Sequence, residues 1–407
     1  MPPIANLSEN VSDDLLRKYM ISKKAGFLLE DPLDHLPSYY EPWEDITDNM
    51  VNLIETTSVR NAVHQIDVLD YKHLLDGPNA YKKLRLAHLR LLTIMAGYVW
   101  CEGDTKIAVP LWNVCKSLEV SPGICHMACC LANWQVVDHS LPPSAPENLR
   151  ILSFKFVEDF GNDWFFLNTA RVELDFAECL PGIVHSLTIN TKGNDYIPSV
   201  VVILKSVCKS INAMIKTVQR FPEKLSSDVF FNGFRPYMNG FTGGMYEKWG
   251  GLVFEGIGDD RPKRMDGGSA AQSSIYQTID AFLGVKHGKE EGEFFARMRM
   301  YMPTPHRQLI KDLERNVALW DAVHGDGSNA DAIAAYNECL KALIRFRTVH
   351  MQVVTRYIII PKNSKQSTTT EKSLRTYDSL DDVGTGGTGI MPFLKSVRDT
   401  TTKFLQS

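Results

Sequence analysis

One helical period runs through most of this chain, and it decides the fold class. Across residues 330–360, Tyr336, Leu340, Leu343, Phe346, His350, Val353 and Tyr357 return every three or four positions, which places them on one helix face. A second stripe starts at Tyr81 and continues through Leu84, His88, Leu91, Met95 and Tyr98. Across residues 200–221, apolar positions interleave with Lys205, Lys209, Lys216 and Arg220, the pattern of a long amphipathic helix. Residues 273–283 read as a helix that opens after the capping run Gly267-Gly268-Ser269 and ends at Gly284. Pro361 should stop the 330–360 helix. Strand-like alternation is hard to find, so the expected fold class is all-α.

Two segments break the pattern. Asp138-His139-Ser140-Leu141-Pro142-Pro143-Ser144-Ala145-Pro146 is polar and rich in proline. It divides the 407 residues into a small N-terminal α domain (1–137), a linker (138–150) and a large C-terminal α domain (151–407). A stretch at about 361–389, rich in Ser, Thr and Lys, ends in Gly384-Thr385-Gly386-Gly387-Thr388-Gly389. No Gly-Lys-Ser/Thr follows, so it is not a phosphate loop. It reads as a mobile loop before a final helix from about Met391.

Composition narrows the function classes. With 44 basic against 48 acidic residues the formal charge is −4, spread along the chain, which argues against a general nucleic-acid binder. The 44% hydrophobic content excludes global disorder. The run Val200-Val201-Val202-Ile203-Leu204 stops at Lys205, far short of the roughly 20 apolar residues of a membrane span. Met1-Pro2-Pro3-Ile4-Ala5-Asn6 has neither the basic nor the apolar part of a signal peptide, so a cytoplasmic protein with reduced thiols is expected. Cys125, Cys129 and Cys130 form the tight group among the eight cysteines. One helix turn of thiols with no matching second half reads as small apolar residues rather than zinc ligands.

No metalloprotease, serine-hydrolase or dinucleotide motif is present. His88 and His350 both sit on apolar stripes, where the ordinary reading is a core histidine satisfied by one hydrogen bond. A histidine stripe flanked by Arg345, Arg347 and Arg356 also suits a haem, with imidazole as axial ligand and guanidinium groups for the propionates.

Several ordered segments then resemble one family. They are Leu131-Ala132-Asn133-Trp134, Phe230-Phe231-Asn232-Gly233-Phe234-Arg235, Asp266-Gly267-Gly268-Ser269-Ala270-Ala271-Gln272-Ser273-Ser274, Tyr301-Met302-Pro303-Thr304-Pro305-His306-Arg307, Arg347-Thr348-Val349-His350-Met351-Gln352-Val353-Val354-Thr355 and the Gly384–Thr388 loop. Together, from about Lys18 onward, they resemble indoleamine 2,3-dioxygenase. The resemblance implies haem b between a small and a large helical domain. It also implies dioxygen as co-substrate, and oxidative opening of the indole 2,3-bond of L-tryptophan to N-formylkynurenine, the first step of the kynurenine pathway. A reductant for the iron, a monomeric state and no side-chain acid or base in the reaction follow from the same resemblance.

Carried over residue by residue, His350 matches the proximal iron ligand, and Arg347 an arginine near a propionate with Asp280 as its partner. Phe165, Phe166 and Phe230 match the aromatic lining, and Arg235 the residue that meets the substrate carboxylate. Gly268, Ser269 and Ala270 match a loop close to haem and substrate, and Thr385 a hydroxyl on the loop that closes over it. The distal pocket takes His126, Cys129, Cys130, Thr169 and Met238.

Three of those positions depart from the family pattern. His126 replaces an aromatic, Thr169 a serine and Met238 a leucine. A histidine at the first of these could hold dioxygen by a hydrogen bond. The competing expectation is therefore an oxygen-binding protein like the dioxygenase-derived myoglobins of molluscs. A signalling or interaction role is a third reading. The positions matching phosphotyrosine sites are Leu111 and Phe254, which cannot be phosphorylated, and Leu69-Asp70-Tyr71-Lys72-His73-Leu74 fits only a generic inhibitory motif.

Overall fold

The computed structural model describes residues 11–101, 107–141, 146–242, 245–325, 328–365 and 389–406. The expected all-α class is what it adopts: helix follows helix, and the sheet among the described residues is one antiparallel ribbon pairing Gln135 with Arg150 and Val136 with Leu149. That ribbon brackets the proline-rich segment. Asn148 Nδ2 donates to the carbonyls of Asp138 (3.1 Å) and Leu141 (3.4 Å), so the segment leaves and returns at a pinned base.

Seven of the helices among the described residues do most to position the central chamber. Helix α1 (Ala80–Cys101) buries Leu84, His88, Leu91, Met95 and Tyr98, as its stripe requires. Helix α2 (His126–Cys129) is a single turn. Helix α3 (Phe160–Ala177) starts at Asp159, whose carboxylate accepts from the Gly161 amide at 2.7 Å. Helix α4 (Tyr196–Val218) packs along both α3 and the later α6, burying Val200, Ile203, Leu204, Val207, Ile211 and Met214. By length and composition α4 could cross a bilayer; here 39% of that apolar window is buried, and the helix lies against α3 and α6.

Helix α5 (Ser274–Leu283) is capped by Ser273 and closed by Gly284 in the left-handed region at φ +70°. Ser269, from the expected capping run, caps instead the short 3₁₀ turn Ala270–Gln272 just before it. Helix α6 (Ala330–Val354) opens on Asn329, whose side chain accepts from the amides of Asp331 and Ala332. Helix α7 (Ile390–Thr402) packs on α6.

Two expectations fail. Pro361 does not stop the long helix: α6 ends at Val354, a π-helical turn runs over Thr355–Ile359, and Pro361 is the second residue of a new helix, Ile360–Lys365. A proline in a first turn needs no amide hydrogen, so the register shift removes the conflict. His88 is fully buried but is not satisfied by a hydrogen bond, since neither ring nitrogen has a partner among the described residues. Burial, aided by Arg85, pushes its pKa down to about 3 and keeps it neutral. Leu111 and Phe254 are both buried, with Phe254 packed on Trp112 at 5.5 Å between ring centroids.

Candidate functional site

Where α2, α3, the start of α5, the end of α6 and the start of α7 converge, they enclose a chamber of about 270 Å³. It brings together nearly every residue singled out from the sequence. His126, Cys129, Cys130, Phe165, Phe166, Thr169, Phe230, Arg235, Met238, Gly268, Ser269, Ala270 and His350 all line it. Thr385 lies outside the described residues. Arg347 and Asp280 do not line it.

The aromatic wall follows from helix spacing. Phe165, Phe166 and Thr169 lie within two turns of α3, and a π-helical turn, Val229–Phe234, brings Phe230 to them. The Phe165 ring is 5.1 Å from Phe166, 5.2 Å from Phe230 and 5.5 Å from Phe234, all edge-on or tilted, as aromatic quadrupoles prefer. Thr169 uses its hydroxyl to donate to the Phe165 carbonyl at 2.7 Å. Immediately after the π turn, the 3₁₀ turn Arg235–Met238 sets Arg235 into the wall, 5% exposed, its guanidinium 5.4 Å from the Phe231 ring centroid. A buried cation in an aromatic wall offers a planar fork to a carboxylate.

The glycine loop sits beneath that turn. A Cβ on Gly267 would lie 2.4 Å from the Met238 carbonyl oxygen and the Gly240 amide nitrogen, so the crowded glycine is Gly267. Gly268 donates its amide to Met238 at 2.8 Å. Gln272, 1% exposed, locks the loop: its Nε2 donates to the Gly267 carbonyl (2.9 Å) and its Oε1 accepts from the His126 amide (3.1 Å).

Two histidines in this chamber differ in charge. His350, on the last turns of α6, is half-buried and has no hydrogen-bond partner among the described residues. Burial pushes its pKa down to about 4, leaving a neutral imidazole with a lone pair. His126 is bound through Nε2 to Glu173 Oε1 at 2.8 Å, and Ser273 Oγ donates to the same oxygen at 2.8 Å. Burial works against its charge, but the Cys130 sulfur and the Glu173 carboxylate outweigh it and hold its pKa up at about 10. Cys129 and Cys125 are protonated thiols, pushed up by burial.

Glu173 escaped the sequence reading. It stands one turn beyond Thr169 on α3 and is 2% exposed, and its Oε2 has no partner among the described residues. An acid at that spacing on a buried helix face was the available signal. Tyr276, Val353, Tyr357 and Phe393 also line the chamber and were missed, because nothing separates them from ordinary core by composition.

Arg347 and Asp280 meet as expected. Arg347 Nη2 spans both Asp280 oxygens at 2.6 and 2.7 Å, and His287 Nε2 reaches Asp280 Oδ2 at 2.8 Å. Burial opposes the Asp280 charge, yet Arg347 and His287 hold its pKa below the usual carboxylate value. Arg347 Nη1 is taken by the Val397 carbonyl and the Thr401 hydroxyl of α7, which leaves Nε as the donor for any other group.

A single imidazole, neutral and unpartnered, at the edge of an apolar chamber fits the donor set of a five-coordinate haem. Known proteins of similar sequence point to one family. Residues 15–404 match the indoleamine 2,3-dioxygenase family. Indoleamine 2,3-dioxygenase 2 of Homo sapiens is 33% identical, covering 95% of this chain and 94% of its own length. Indoleamine 2,3-dioxygenase of Saccharomyces cerevisiae is 30% identical, covering 95% and 93%. A protein named myoglobin from Haliotis madaka is 35% identical, covering 97% of this chain and all of its own.

Proposed function

The chain belongs to the indoleamine 2,3-dioxygenase family, and from that premise we propose that it is a haem-dependent dioxygenase converting L-tryptophan to N-formylkynurenine in the cytoplasm. One observation carries the reading: a neutral, unpartnered His350 lines the same chamber as the buried Arg235 and the Phe165–Phe230 wall. That is a metal donor, a carboxylate fork and an indole slot in one enclosed space.

His350 would hold the iron of haem b, and Arg347, through Nε, would be the cation available to a propionate. Bound there, the haem supplies the dioxygen chemistry, which amino-acid side chains do not provide. The protein's own work is positioning. Phe165, Phe166 and Phe230 form the apolar wall against which the indole lies, and Arg235 takes the carboxylate. Gly268, Ser269 and Ala270 form the floor beside the substrate. His126 keeps its proton on the chamber wall through its bond to Glu173. Such a haem would need an external electron donor to supply its ferrous form.

A second reading, oxygen storage, is favoured by one feature, the charged His126, and accords with the 35% identity to the abalone myoglobin. A hydrogen-bond donor on the chamber wall would favour retaining a bound dioxygen over spending it. The test is a tryptophan titration of the reduced protein in air with product identification. N-formylkynurenine formation at turnover rates supports the dioxygenase. A persistent oxygenated spectrum without product at saturating tryptophan transfers the assignment to storage.

A further inference from the structure

We propose that Cys208 and Cys339 form a peroxide-responsive thiol pair, in which Cys208 is the reacting thiol and Cys339 resolves it into a disulfide joining α4 to α6. The two thiols interlock across the helix crossing. Cys208 Sγ, on α4, lies 3.7 Å from the Glu338 carbonyl, the residue before Cys339. Cys339 Sγ, on α6, donates at 2.8 Å to the Leu204 carbonyl, one turn before Cys208. Each sulfur thus sits against the backbone of the other's helix.

The chemistry of the two sites is unequal in the way a sensor pair requires. Cys208 is partly exposed, whereas Cys339 is fully buried. Asn212 Nδ2 donates to Cys208 Sγ at 3.5 Å, and Arg345 Nη2 holds that amide in turn through Asn212 Oδ1 at 3.0 Å. The Cys339 thiol and this polar fork bring the Cys208 pKa down to about 7, against the opposing effects of burial and Glu338. Cys115, Cys125, Cys129 and Cys179 are buried and raised, so they are poor nucleophiles by comparison.

The reaction balances with hydrogen peroxide as oxidant. The Cys208 thiolate attacks one peroxide oxygen, the O–O bond breaks, and the departing hydroxide takes a proton to become water, leaving a sulfenic acid. The Cys339 sulfur then displaces the sulfenic oxygen as a second water, forming the S–S bond. In a reducing compartment such a bond is transient, which suits sensing rather than structure. It would fasten α6 to α4 about three helical turns before His350.

The experiment treats the purified, fully reduced chain with hydrogen peroxide, blocks the remaining thiols and maps the peptides by mass. The expected result is a loss of two titratable thiols per chain and a Cys208–Cys339 linked peptide pair lighter by two hydrogens, both reversed by dithiothreitol. Cys208→Ser should leave Cys339 unmodified. Cys339→Ser should stop the reaction at oxygen-bearing Cys208. The unfolding midpoint of the oxidised wild-type chain should rise by several degrees and return on reduction. Oxygen added to Cys208 in the wild type without the link, a link to Cys179 instead, or first attack at another cysteine would each overturn the proposal.

Discussion

The two histidines of the chamber are both drawn toward the neutral form by desolvation and differ in almost everything else. His350 stands among apolar residues with no acid beside it and is pulled down to about 4; His126 has a carboxylate at 2.8 Å and is held up at about 10. Desolvation disfavours charge on both rings, and two buried neighbours, the Cys130 sulfur and the Glu173 carboxylate, reverse the outcome for His126. The difference sorts their chemistry. A ring that gives a lone pair to a metal has to be neutral, whereas an imidazolium can only donate. The α6 wall therefore offers ligation, and the wall built from α2, α3 and Ser273 offers fixed positive charge and a proton.

The strongest way to break that contrast is to delete each ring. His350→Ala should abolish the Soret band after haemin reconstitution, whereas His126→Ala should retain it. An intact Soret spectrum in the first variant, or its loss in the second, would exchange the assigned roles. Arg235→Ala comes next. It leaves the haem spectrum unchanged, and loss of a buried charge partner should cost about 2–5 kcal/mol of substrate binding, a thirtyfold or larger rise in the tryptophan KM. A KM that stays put would remove Arg235 from the carboxylate site.

Glu173→Gln tests what charges His126. The folded-state pKa of this ring lies above its unfolded value of 6.5, so its contribution to stability is fully present below 6.5 and is lost as pH rises through about 10. Replacing the carboxylate by an amide should cost about 1–3 kcal/mol at neutral pH and flatten stability between those limits, read from denaturant midpoints across the range. An unchanged alkaline slope would leave the Cys130 sulfur as the group that charges His126.

Much of this architecture was legible in the chain. The stripes of α1, α4 and α6 read directly as helices because their apolar faces repeat at the helical period over many turns. The π-helical turn before Pro361 was not, because a one-residue register shift leaves no compositional trace. Within the chamber, Phe165, Phe166 and Phe230 look like core in the sequence, and only the ordered resemblance singled them out. The charge on His126 was invisible for a different reason. Its partner Glu173 is 47 residues away, and Ser273 is a further 100, so the network exists only once three elements meet. The close backbone crossing likewise falls on Gly267, one residue from where the motif suggested.

The smallest expected effect bears most directly on the choice between spending dioxygen and storing it. His126→Phe removes the imidazolium and puts a phenyl ring where the family pattern carries an aromatic. Haem binding should be unaffected, since His350 is untouched. A ring that donates to ligands in the chamber strengthens anion binding by about 1–1.5 kcal/mol, so cyanide or azide affinity of the ferric protein should fall roughly tenfold in the variant. Autoxidation of the oxygenated form should quicken, and tryptophan turnover should rise or hold. Equal anion affinities in the two proteins would mean that the Glu173 bond turns His126 away from the ligand side, and the charged wall would then bear on folding stability rather than on dioxygen.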